Sequence, residues 1–316
     1  MTSDNDSKEF VSAKKTTVTM SVTPEQYSLV KKWSEMVPTL YMLDICVVGA
    51  TKLNSSVLKR MERKAKLVNH LRNLDRENNG FSYLFALMEK VSDSRGSLTL
   101  EELETQILAD LAALRVFFKK AKVIETDDYV ISFLRELHGQ PIELEREVYL
   151  QFLRLLNDKF KLSNPVSSSK RFTVSQEIVK EAERLKIYKQ HPVVILAIAC
   201  VYGNRAAKKL VKFKSNSNRF DAENALADIF LISRFAKVKL EIEALARNGG
   251  PYAKVDFITD DDGLINVLKY YEPQSVKYDD DINGRESKLE MRVKLEEMLS
   301  PETQGEYDKI FNLLHP

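Results

Sequence analysis

A chain of 316 residues, 30% charged and 44% hydrophobic, can bury a sizeable core in one large domain or two. Its net charge of +2 means that a polyanionic partner must be met by a local basic patch and not by the field of the whole chain. Two cysteines, Cys46 and Cys200, both within apolar runs, exclude a disulfide framework or a spaced-cysteine zinc site and fit a reducing, cytoplasmic setting.

The start, MTSDNDSKEF, is polar and acidic and lacks the features of a secretory signal. Residues 1–22, rich in Ser, Thr and Lys, are expected to be partly disordered. Thr23-Pro24-Glu25 predicts a helix start, with a Thr cap and Pro in the first turn, and the helix runs to about Met36. Pro38 ends it, and LYMLDICVVG (40–49) predicts a short strand that delivers Asp44. A helix is expected over 54–73, basic through Lys59, Arg60, Arg63, Lys64, Lys66 and Arg72. After the turn Asn78-Asn79-Gly80, the apolar stretch FSYLFALMEKV (81–91) holds a single acid, Glu89.

From 97 to 190 the pattern changes. Leu103, Ile107, Leu111, Leu114 and Phe118 recur at helical spacing, and 129–137 and 143–156 continue it, so an all-helical insertion is expected. Its acids at 125–128 and Glu143, Glu145 and Glu147 read as solvated faces. NPVSSS (164–169) reads as a loop and 177–189 as a polar helix. A fully apolar helix follows at 193–202, half the roughly twenty residues that a membrane span needs. Next comes a basic stretch with Arg205, Lys208, Lys209, Lys212, Lys214 and Arg219 around Phe213 and Phe220. The amphipathic helix 224–235 has its apolar stripe broken by Asp228. Asn248-Gly249-Gly250-Pro251 is a loop into VDFITDDDGL (255–264), a strand ending in Asp260, Asp261 and Asp262, before a helix over 264–270. An acidic link (279–281) and helices at about 285–299 and 301–314 are expected to close the chain. The stripe Leu289, Val293, Leu295 and Leu299 suits either a core or a dimer contact.

Three carboxylates on one turn repel one another by roughly 4 kcal/mol per pair at about 4 Å in a surface-like dielectric. A solvated loop tolerates that; a divalent cation exploits it. Asp44 inside an apolar run is equally costly unless it ends its strand or meets a cation. Carboxyl ends of parallel strands are where open α/β sheets bind ligands.

The order of acids is LD in a first strand, one Glu in an apolar helix, NALADI on a later helix and a final TDDDGL. This order resembles the PIN-domain nucleases across 38–91 and 191–271. The resemblance implies an α/β fold with a PIN-like parallel sheet flanked by helices. The large all-helical insertion, far larger than a minimal toxin-type domain of that family has, and the C-terminal helices are read from the residue pattern. The expected boundaries are an N-terminal extension with one helix (1–37), a PIN-like nuclease domain (38–275) interrupted by the insertion (97–190), and a C-terminal helical tail (276–316).

By the same resemblance Asp44, Glu89, Asp228 and Asp261 are the catalytic acids and, with Asp260, the ligands of Mg²⁺ or Mn²⁺. Thr259 is the Thr of T-x-D, and Asp262 is an alternative to Asp260. Asp93 competes with Glu89, and Glu223 with Asp228. A hard cation that keeps several waters suits such an all-oxygen set. Bound there, it would polarise a phosphodiester and activate water, with Glu89 completing its shell through water or orienting the nucleophile. Without it, the crowded acids would partly protonate. Arg205, Lys208, Lys209, Lys212, Lys214 and Arg219 would bind nucleic acid, RNA in preference to DNA, with Lys52, Lys59, Arg60 and Arg63 approaching the same face.

The expected activity is therefore an endoribonuclease, in a toxin, an antiviral (phage-defence) effector or an RNA-processing role. Three alternatives stand beside it. One is an inactive PIN-like scaffold that binds a protein partner through the helical insertion; another is a helical interaction protein. The third, a phosphatase of the haloacid-dehalogenase type, needs a second Asp where Cys46 stands. Cys46 also departs from the small polar residue that PIN domains often carry there, and the gap from Asp228 to Asp261 is longer than usual for them.

Overall fold

Thr39–Leu43 (β1) is buried on both faces, the environment of a central strand in a parallel sheet and the reason its sequence is apolar without alternation. In the computed structural model, the described residues are 21–92, 98–138, 145–281, 284–299 and 306–315. The chain divides into two units, Met1–Val37 and Pro38–Pro316.

The first unit holds α1 (Pro24–Met36), closed by a capping box between Thr23 and Gln26 as the Thr-Pro signal predicts. Leu29, Val30, Trp33 and Met36 are exposed along it. The disorder expected of 1–22 falls almost wholly outside the described residues.

In the second unit β1 pairs in parallel with β2 (Gly80–Ser82) and β4 (Lys254–Ile258), and β2 pairs with β3 (Lys122–Val123), giving the order β3-β2-β1-β4. This is an α/β fold in which a four-stranded parallel sheet is flanked by helices. On one face lie α2 (Ile45–Thr51), α4 (Glu62–Leu74), α5 (Leu84–Ser92), α6 (Leu100–Phe117) and α7 (Asp127–Leu137), whose Val47, Leu71, Leu87, Leu111, Leu114 and Leu134 close over Leu43 and Phe81. On the other, the 25-residue α12 (Ala222–Ala246) sets Leu231, Phe235, Val238 and Ile242 against Leu40, Met42 and Val255. The helix expected over 54–73 is broken into α3 (Ser55–Leu58) and α4, because a second turn at Lys59–Met61 intervenes.

Further expectations are corrected: the run 40–49 is strand only to Leu43 and its residues from Ile45 on form α2, and the helix expected over 224–235 extends from Ala222 to Ala246. The stretch 97–190 is not all-helical: its residues 122–123 form the edge strand β3, and α6 and α7 share the sheet's own core. Two residues are too few to show a period, so the strand leaves no trace in the pattern. The rest of the stretch, α8 (Arg146–Asp158) and α9 (Ser168–Arg184), packs in a separate core with the fully buried α10 (Pro192–Val201), α11 (Arg205–Val211) and α12. The tail 276–316 is not helical throughout either. β5 (Tyr271–Asp281) and β6 (Gly284–Val293) form an antiparallel hairpin, followed by α14 (Leu295–Met298) and α15 (Tyr307–Leu314). Lys288 to Val293 alternates polar and apolar, a period of two; the spacing of Leu289 and Val293 fits a helix only when Met291 between them is overlooked.

Candidate active site at the strand ends

β1 and β4 run side by side and stop in register, Leu43 opposite Ile258, so the next residues of both strands emerge together. Asp44 caps α2, accepting from the Cys46 N–H at 3.4 Å. Asp261 caps α13 (Asp262–Leu268), accepting from the Leu264 N–H at 3.0 Å. Each carboxylate satisfies orphan donors at a helix N-terminus and gains from the helix dipole there. Thr259 ties the two turns together: its hydroxyl donates to Asp44 Oδ2 and accepts from the Asp261 N–H at 3.0 Å.

Glu89 reaches the same place from α5. Burial, then the charge of Asp44 and a carboxyl–carboxylate hydrogen bond with it, then Asp228, hold its proton well above the usual carboxylate range. Asp228 arrives from α12. Burial pushes its carboxyl up to about 7, opposed by Lys212 and assisted by the charges of Asp261 and Asp44. For Asp261 burial acts upward, but Lys212 and the N–H groups of Leu264 and Gly263 outweigh it and keep its carboxyl below the ordinary value. Four half-buried carboxylates from four elements thus meet at the carboxyl end of the sheet: Asp44, Glu89, Asp228 and Asp261.

Lys212 stands among them. Its ammonium lies 2.9 Å from Asp261 Oδ2 and 3.5 Å from Asp228 Oδ2. By sequence it belongs to a basic stretch suited to nucleic acid, and nothing local signals this pairing, because the two acids are its neighbours only in space. The other members of that stretch are arranged differently. Arg205, Lys209, Lys214 and Arg219 are exposed and Lys208 is half-buried. Phe213 and Phe220, both partly buried, pack on each other at 5.3 Å and against the helical core.

Asp260 is not brought to the cluster. Its carboxylate turns to α4, where Arg63 Nε lies at 2.6 Å and Lys64 Nζ at 2.7 Å, and Arg63 also grips Asp262 at 2.9 Å. The Asp260 carboxylate thus faces α4 while that of Asp261 faces Lys212, and the turn divides its aspartates between two sites. Arg63, expected near the substrate, is committed to this clamp. Glu223 is drawn away from Asp228's position by an ion pair with Arg146 of α8. Asp93 lies outside the described residues.

Cys46 fills its place by packing and hydrogen bonding: its sulfur accepts from the Asp260 N–H at 3.3 Å and lies 3.8 Å from the Thr259 hydroxyl. Burial and the neighbouring Asp44 push the thiol up to about 12, so it stays protonated.

The donor set is wholly carboxylate, the chemistry of a hard, partly hydrated cation. Among the described residues no three His, Cys, Asp or Glu side chains are drawn up into a ready-made cage. No described helix is long and apolar enough to cross a membrane. No family model, no curated protein and no solved structure matches this chain.

Proposed function

We propose that the chain is a PIN-like, Mg²⁺- or Mn²⁺-dependent endoribonuclease. The observation that carries this reading is the meeting of Asp44, Glu89, Asp228 and Asp261 at the ends of adjacent parallel strands, from positions spread over more than half the sequence. Burying several acids together is expensive in the absence of a cation to share, and a scaffold gains nothing from it.

In this reading Asp44, Asp228 and Asp261 hold the ion, and Glu89 supports it through water. When bound, the ion supplies Lewis-acid polarisation of the phosphodiester and a more acidic water. Thr259 and the Ile45 N–H fix the orientation of Asp44 and Glu89. Glu89, which keeps its proton more readily than an ordinary carboxyl, is the group suited to exchange one with the nucleophile or the leaving oxygen. The exposed Arg205, Lys209, Lys214 and Arg219 provide the electrostatic contact that a single-stranded RNA backbone requires.

Labelled RNA and DNA incubated with Mg²⁺, Mn²⁺ or EDTA test it. RNA cleavage is expected with either ion and not with EDTA, and Asp44→Asn or Asp261→Asn should slow it by at least ~100-fold while the fold is retained. Cleavage that survives EDTA, or both substitutions, removes the proposal. The second reading, an inactive PIN-like scaffold, draws on the pairing of Asp261 with Lys212 and expects no cleavage under any of these conditions.

A further inference from the structure

Lys212 caps α11 in the left-handed conformation, at φ 58° and ψ 37°, with its N–H bonded to the Lys208 carbonyl. Glycine or asparagine is the usual occupant of that C-terminal position, since a β-carbon is strained there. The chain places a lysine instead, and the side chain spans two elements: Asp228 on α12 and Asp261 before α13. The oxygens that it touches, Oδ2 of each aspartate, belong to two of the three residues proposed above as ion ligands.

We infer that Lys212 is a latch on the acidic site, its ammonium occupying the cation position between Asp228 and Asp261, so that a divalent ion enters as Lys212 lets go. The inference rests on the metal-dependent reading above and adds the regulation of that site. The side chain is 43% exposed, so the released ammonium returns to water without being buried unpaired elsewhere. The contacts held by Lys212 are those of a partly exposed ion pair, weak enough to exchange. A multidentate carboxylate set around a doubly charged ion is the stronger competitor. The arrangement also keeps Asp228 and Asp261 from repelling each other when no ion is present. A hydrogen-bonding lysine holds a preformed but closed site, which opens only above a threshold of ion concentration.

Removing any positive charge nearby strengthens cation binding through the general field, so the test compares Lys212→Met with Lys209→Met. Lys209 is an exposed residue of the same helix, and its substitution removes the same charge. Mn²⁺ is titrated into the full-length chain and followed by electron paramagnetic resonance. Binding is expected to tighten about tenfold in Lys212→Met and to stay within about twofold in Lys209→Met. Lys212→Gln should behave as Lys212→Met, which guards against a folding defect in either. In the unsubstituted chain, acetylation of Lys212 by an amine-reactive reagent, read by mass spectrometry, should quicken when Mg²⁺ is added, while that of Lys209 does not change.

Equal tightening in the two lysine variants, or faster acetylation of neither lysine on adding Mg²⁺, overturns the latch. If the unsubstituted chain binds Mn²⁺, loses it on Asp44→Asn and is indifferent to Lys212→Met, the latch fails alone. If neither the unsubstituted chain nor Lys212→Met binds Mn²⁺, the metal-dependent reading fails with it.

Discussion

Asp228 keeps a proton that an ordinary aspartate gives up, and this has a consequence for stability. Its folded value is about 7 against about 3.9 for an unfolded aspartate, so between these values the folded chain binds more protons than the unfolded one. The contribution is full below the unfolded value and is lost as pH rises through about 7. Glu89 acts in the same direction. Without divalent ion, the melting temperature of the chain is therefore expected to fall between about pH 5 and pH 8, and the fall should be shallower in Asp228→Asn. A melting temperature that rises over this range, or a slope unchanged by the substitution, contradicts the placement of Asp228 in a shared acidic cluster. Asp110 shows that burial alone does not decide the direction. It is 2% exposed, and burial acts upward on its carboxyl, yet Lys52, Lys90 and the Tyr83 hydroxyl converge on it and hold it below the usual value. A paired acid of this kind is structural, and its network joins α5 and α6 to the turn that follows α2.

At the scale of elements, the pairing of α11 with α13 sets where Lys212 and Asp261 meet. A β-carbon at Gly263 would lie 2.7 Å from the Leu210 N and 2.8 Å from the Lys209 carbonyl carbon, backbone atoms that cannot rotate aside. Gly263→Ala is thus expected to push α13 off α11, costing about 1–3 kcal/mol in denaturant-measured stability and weakening Mn²⁺ binding through the displaced Asp261. Unchanged values of both would mean that the two helices tolerate separation.

The sequence reads this glycine as a turn signal in TDDDGL, which is right about the turn and blind to the helix beside it. The same division runs through the other elements. β1, β4, α10 and the first half of α12 are legible because their apolar residues are continuous or periodic, and α1 from its Thr-Pro cap; residues 236–246 of α12 are not. Asp44 and Asp228 stand out because each breaks such a pattern, and Asp261 because it belongs to the acidic run that ends β4. Asp110 interrupts the stripe of α6 in the same way, but its partners Lys52, Lys90 and Tyr83 lie far along the chain and give no local sign. Glu125 sits in a run of acids that reads as a solvated face, yet it is 6% exposed and accepts from the Ser82 hydroxyl and the Tyr83 N–H. β3 is too short to announce itself. In the sequence Asn283-Gly284 is a strong hairpin dipeptide, a sign opposed to the helical spacing of Leu289 and Val293. Pairings such as Lys212 with Asp261 exist only across the fold and have no local signature.

In the unit Pro38–Pro316, Lys212 pairs within the acidic cluster while other cations of the same stretch stay exposed. The cluster lies at the strand ends, while exposed Arg205, Lys209, Lys214 and Arg219 belong to and follow α11. If these four track a nucleic-acid backbone, binding of a single-stranded RNA in EDTA should weaken with salt. Replacing all four by Gln should lower the steepness of that log–log dependence by about 0.7 for each phosphate no longer neutralised. Fluorescence anisotropy across a salt series measures this, and an unchanged slope would move the RNA interface to another face.

The central strand β1 finds its last neighbour very late. The Thr259 hydroxyl that steadies Asp44 comes from 215 positions further on. A ribosome adding roughly 5–20 residues per second needs about 10–40 s to cover that distance. Until then the growing polypeptide carries Asp44, and later Glu89 and Asp228, without Asp261. The four carboxylates therefore come together only after β4 has emerged, and a chain cut off before it holds an incomplete cluster.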